Sequence, residues 1–156
     1  MRTPLLLFLL CPILCCLGSC EQAVPSAADE KAAILATINA ETVAAFSRDY
    51  EGWQAKWVHA PYVTKTYLNF ADSSMTETLG WEEVNTFVVE YFAAHPAPDP
   101  LPEPLETIDV RLYGTGALVT YGQDDPARGR KREMRLMEKE ASIWKIAGMH
   151  TTIYGE

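Results

Sequence analysis

All four cysteines of this 156-residue chain, Cys11, Cys15, Cys16 and Cys20, stand in its first twenty residues. Whatever folds beyond Cys20 must therefore hold together without a disulfide and without a cysteine metal site, through burial of apolar side chains. Residues 20–156 are enough for one domain with a single core. The formal net charge is −8. So acidic a chain is a poor match for nucleic acid, whose binding is driven by phosphate neutralisation. Anionic lipid would not attract it electrostatically either.

The first residues have the three parts of a secretory signal: the basic Arg2, an apolar run from Leu5, and a small-residue site at Gly18-Ser19. The run is short for a bilayer span and contains Pro12. Leu17-Gly18-Ser19-Cys20 resembles the bacterial lipobox. That resemblance implies cleavage before Cys20, lipid on its sulfur, and a location on the periplasmic or extracellular side of a bacterial envelope. Two or more acyl chains give a stable anchor where one does not. The expected organisation is a signal peptide over 1–19, a flexible tether over 20–28 and a folded domain over 29–156.

Ser26 or Asp29 is placed to cap a first helix reaching about Ser47, with Ile34, Leu35, Ile38, Thr42, Ala45 and Phe46 on one side. Asp49 is placed to cap a short second helix carrying Trp53 and Trp57 at i, i+4, which Pro61 stops. Tyr62–Phe70 reads as a strand, Ala71–Ser74 as a turn, and Met75–Leu79 as its return. Gly80 opens a third helix on which Val84, Phe87, Val88, Tyr91 and Phe92 form an unbroken apolar stripe, expected to be core. Alternating prolines from Pro96 to Pro104 predict an extended stiff connection. Strands follow at about 106–113, 117–123, 130–139 and 143–154. Three helices and mainly antiparallel strands indicate an α+β fold.

This order resembles the nuclear transport factor 2-like superfamily, including its SnoaL-like and ketosteroid-isomerase-like branches. The residues carrying the resemblance are Asp49-Tyr50-Glu51-Gly52-Trp53 leading to Trp57-Val58-His59, Gly80-Trp81-Glu82-Glu83, Arg132 through Lys139, Trp144-Lys145-Ile146 and Met149-His150-Thr151-Thr152. The resemblance implies a cone: a curved, mainly antiparallel sheet wrapped around three helices, with a pocket at the open end and dimerisation through the sheet. Such folds host isomerases, cyclases, dehydratases and non-catalytic binding modules, so the fold alone decides no function.

Carried onto this chain, the resemblance lines the pocket with Trp53, Trp57, His59, Tyr62, Tyr67, Tyr91 and His150. Aromatic walls suit a small apolar or aromatic ligand, although Trp53 and Trp57 serve equally as core. His150 is the candidate general base, read as sharing a face with Trp144, Ile146 and Tyr154, with Tyr67 or Tyr62 as oxyanion donor. Its alternative is a histidine hydrogen-bonded across the sheet. Within the basic run from Arg128 to Arg135, Arg132 is the residue expected to reach inward toward an anionic ligand. A ketosteroid-isomerase-type trio does not assemble, because Asp72 reads as a turn residue and Asp109 as solvent-facing. Three scattered histidines predict no metal site, and no phosphate loop or nucleophile motif implies a cofactor. The leading expectation is a non-catalytic homodimeric pocket domain for a small apolar or aromatic molecule. The alternatives are a cofactor-independent proton-transfer enzyme and a protein-interaction module.

Overall fold

A computed structural model describes residues 25–155. The expected signal peptide and the expected lipidation of Cys20 lie outside the described residues. Helix α1 runs over Ala27–Ser47, starting two residues before the expected first residue of the folded domain. Its start is set by a capping box in which Ser26 accepts from the Asp29 N–H and Asp29 accepts from the Ser26 N–H. The buried face of α1 is Ile34, Ile38, Glu41 and Ala44, an apolar stripe with one carboxylate in it. Arg48 ends the helix at φ 63°, a left-handed position where glycine is usual. Its guanidinium donates to Ala45 O at 2.9 Å and to His95 O at 2.7 Å, which ties the ends of two helices together.

Asp49 caps α2 (Tyr50–Gln54) by accepting from the Gly52 N–H at 2.9 Å. The chain leaves helical geometry before Trp57, which instead forms a parallel bridge to Ile146. That bridge turns Trp57 inward beside Trp53, with ring centroids 5.7 Å apart.

The strands are β1 (Thr64–Asn69), β2 (Ser74–Leu79), β3 (Asp109–Tyr113), β4 (Gly116–Asp125), β5 (Gly129–Glu140) and β6 (Ile143–Gly155). They make one curved, unclosed sheet in the order β2-β1-β6-β5-β4-β3, antiparallel except for the β1–β6 pair. Helix α3 (Trp81–Ala94) follows the first hairpin and packs against β1 and β2. Residues 95–108 carry no regular element, as the prolines predict, and are clamped to α1. The Asn39 side chain bonds both the N–H and the C=O of Leu105, and the Asp99 N–H donates to Phe46 O. This clamp is why β3 begins three residues later than its composition suggests.

One irregularity reorders the faces of β6. Leu136 pairs with Gly148 but Met137 pairs with Ile146, so Ala147 is an extra residue opposite β5. A bulge bends its strand and shifts the alternation by one. Trp144 and Ile146 face inward before it; Met149, Thr151 and Ile153 face inward after it. His150 therefore does not share a face with Trp144 and Ile146.

Candidate functional site

A cavity of about 320 Å³ opens between the C-terminal half of α1, α3 and β1. Phe46, Trp53, Tyr67, Phe87, Tyr91 and Phe92 supply six aromatic walls, and Lys65, Asn69, Arg48, Asp99 and Arg128 supply the polar groups. The stripe on α3 divides by depth: Val84 and Val88 are core, whereas Phe87, Tyr91 and Phe92 are half-buried and form the wall. A second hollow, about 780 Å³, lies between α1 and the proline segment. Its charged residues are Asp49, Lys56 and Glu103, and no aromatic side chain lines it. The smaller cavity is the chemically specific one, because aromatic walls and converging polar groups are what orient a small ligand.

Lys65 is the unexpected occupant of this cavity. It is only 5% exposed, on the inward face of β1 with Tyr67 and Asn69. Its Nζ lies 5.4 Å from the Trp53 ring centroid, 5.3 Å from Trp57 and 5.6 Å from Tyr67. All three distances are in the range where a ring face attracts a cation, within about 6 Å. Both indole N–H groups donate to one oxygen of Glu41, at 3.0 Å from Trp53 and 3.2 Å from Trp57. The carboxylate thus fixes the two rings against each other.

Behind this cage runs a chain of buried charges of alternating sign. Arg135 Nη1 donates to Glu41 at 3.2 Å, and its other nitrogens donate to Glu133 Oε2 at 2.7 and 2.8 Å. Glu133 also accepts from Tyr121 Oη at 2.7 Å and pairs with Lys131 at 3.0 Å. Lys131 reaches Asp125 only at 3.7 Å, too far for a hydrogen bond, and leaves Asp125 Oδ2 without a donor. Burial alone would push Glu133 up, but Arg135, Lys131 and the Tyr121 hydroxyl outweigh it and hold its carboxyl at about 2. Burial raises Tyr121 well above the ordinary phenol value, and Glu133 adds to that against the opposing pull of Arg135.

The expected site residues separate into two groups. Trp53, Tyr67 and Tyr91 line the cavity, and Trp57 lies beneath Lys65. Tyr91 Oη accepts from Arg128 Nη2 at 3.1 Å. The other four lie elsewhere. Tyr62 is exposed and donates to Glu138 at 2.8 Å. His59 is exposed, stacked on Trp81, with Nε2 3.0 Å from Gln54 O. His150 sits on the outer sheet face, its Nε2 3.3 Å from Thr152 Oγ1, in register with Thr66 and Met134. Arg132 does share a face with Met134 and Leu136, but that face is the outer one; within β5 it is Lys131 and Arg135 that point inward, and Arg128, just before the strand, lines the cavity. Lys65, Glu41 and Arg128 were missed. A carboxylate seven residues from Ile34 on the α1 stripe was the one available signal.

No family model and no curated protein matches this sequence. Solved structures give the fold. A cystatin-like fold protein from Burkholderia xenovorans superposes with a TM-score of 0.60 at 20% identity, covering 82% of this chain and 94% of that one. A nuclear transport factor 2-like protein of unknown function from Pseudomonas putida gives 0.61 at 16% identity, covering 82% and 89%. A nuclear transport factor 2-like superfamily protein from Salmonella enterica gives 0.60 at 14% identity, covering 84% and 95%.

Proposed function

We propose that this chain, which has the nuclear transport factor 2-like fold, is a pocket domain that binds a small molecule with an apolar or aromatic body. The observation that carries the reading is the ring of six aromatic walls around one cavity, with polar groups converging on it. A volume of about 320 Å³ is at the small end of ligand pockets, which span roughly 300–1,000 Å³. Such walls suit a single ring or a short chain. The proton-transfer alternative is weakened in the form that uses His150 as base, since His150 and Tyr62 lie outside the cavity that Tyr67 lines.

Trp53 is in the wall, so occupancy is readable by fluorescence. Titrating the full chain in detergent with phenylbutanol, against detergent-only blanks, is expected to shift tryptophan emission saturably. A linear response indistinguishable from the blanks, for phenylbutanol and for its carboxylic acid and amine analogues alike, would remove the pocket reading.

The domain works outside the cytoplasm, tethered by lipid on Cys20; the support is the signal-like leader and Leu17-Gly18-Ser19-Cys20. Radiolabelled palmitate is expected to mark the protein in bacterial cells, and Cys20→Ala to abolish the label. Equal labelling of the variant would refute the anchor.

A further inference from the structure

We infer that the ligand of this cavity is an organic anion, a carboxylate on an aromatic or aliphatic body, and that Lys65 holds its charged end. The inference rests on the cavity being a ligand pocket and adds the chemical class that the pocket selects.

Three of the other inward-facing cations near the cavity are held by carboxylates, and the fourth, Arg128, donates to the Tyr91 hydroxyl at 3.1 Å. Arg135 serves Glu41 and Glu133, Lys131 serves Glu133, and Arg48 is 2.9 Å from Asp99. Lys65 is different. Its ammonium has three donors, and among the described residues it makes no ion pair; its near neighbours are the three ring faces. A ring face attracts a cation without satisfying its N–H groups as an oxygen would. The neighbours in register, Thr78 on β2 and Met149 on β6, bring no carboxylate. The acid lining the cavity, Asp99, is already engaged by Arg48.

With Arg48 and Asp99 cancelling, Lys65 and Arg128 leave the cavity positive inside an acidic protein. A carboxylate entering it gains charge-assisted hydrogen bonds, which are shorter and stronger than neutral ones. The aromatic walls lower the local dielectric and strengthen that attraction. A neutral ligand in the same place would cover Lys65 without replacing its hydration, and an ammonium ligand would meet like charge. The cage also sets direction. The ammonium is at the deep end beside Trp53 and Trp57, so the acid enters first and its body lies against the rings of Tyr67 and α3.

The test uses a matched trio on the full chain in detergent at neutral pH: phenylbutyrate, phenylbutanol and phenylbutylamine. Tryptophan emission is expected to give phenylbutyrate a Kd at least about tenfold below that of the alcohol, with the amine weakest. Lys65→Met is expected to remove most of the acid's advantage over the alcohol, leaving at most the weaker pull of Arg128. Should that variant fail to fold, the wild-type protein still decides: reductive methylation with formaldehyde and cyanoborohydride, read by peptide mass, is expected to slow several-fold at Lys65 with phenylbutyrate bound, relative to Lys31. Equal Kd values for acid and alcohol overturn the anion inference and leave the pocket standing. Acid preference without protection of Lys65 overturns the assignment to that residue. Binding of none of the three removes the pocket itself.

Discussion

Replacing Arg135 by methionine is expected to destabilise the domain by about 3–5 kcal/mol, the usual cost of removing one partner from a buried ion pair. The variant keeps most of the side-chain volume, so a cavity is not the cause. Glu41 and Glu133 would be left facing each other across a dry space with their shared donor gone. Lys131 still serves Glu133, but Glu41 would keep only the two indole N–H groups. A loss of that size is a large share of the total stability of a domain, about 5–15 kcal/mol, so the urea midpoint at neutral pH should fall steeply. Arg132→Met is the matched control. It lies three residues away on the same strand but on the outer face, and its expected effect is within about 0.5 kcal/mol. Equal losses at the two positions would contradict the burial of the network.

The same reasoning separates what the network contributes from what its loss costs. Well-packed apolar residues in place of a whole buried ion network are often neutral or better. Its role here is positional. Arg135 holds Glu41, Glu41 holds the two tryptophans, and the tryptophans shape the cage around Lys65.

The elements themselves were legible because their signals are local: the capping residues Ser26 and Asp49, the Gly80 start of α3 and the proline segment. The parallel pairing of β1 with β6 was not, because it joins residues far apart in the chain and leaves no local trace. The site was harder for a different reason. Along β1 and into the turn after it the hydrophobic alternation runs the wrong way: Lys65 is buried, while Phe70, one residue past the strand, is exposed. On β5 it is inverted again, with Met134 and Leu136 outside and Lys131, Glu133 and Arg135 inside. A sequence pattern locates the inner face only where that face is apolar, and along these two strands it is built from charges that satisfy one another or await a ligand. His150 was misplaced by the single extra residue at Ala147, since one residue inverts the face of every side chain beyond it.

Acid should dismantle this interior before it disturbs the apolar core. Glu133 has a folded value of about 2 against an ordinary 4.5. A carboxylate whose value is lowered on folding contributes stability that is complete above the unfolded value and is lost as pH falls through the folded one. The expected window is therefore from pH 4.5 down to about 2, and the loss is on the order of 3 kcal/mol from the linkage of pKa to stability. Asp29, Glu30 and Asp72 are lowered too, by hydrogen bonds from Ser26, from Lys139 and Trp144, and from Ser74 respectively. Asp29 and Asp72 are exposed and add little; Glu30 is half-buried against Lys139 and Trp144 and acts in the same direction, with the more deeply buried Glu133 dominating the acid limb. Alkali acts through the other partner. Tyr121 is raised well above 10.0, so its contribution is complete below that value and is lost as pH climbs past it, when the unfolded phenol ionises more readily than the folded one. Tyr121→Phe should flatten the alkaline limb and also shrink the acid limb somewhat, because the tyrosine hydroxyl is one of the donors that lower Glu133. The direct check on the acid limb is the carboxyl carbon shift of Glu133 followed by NMR through acid titration. A midpoint near 2 is expected; one at the ordinary glutamate value would mean that Arg135 and Lys131 do not neutralise it, and the alternating chain of charges behind the cage would have to be redrawn.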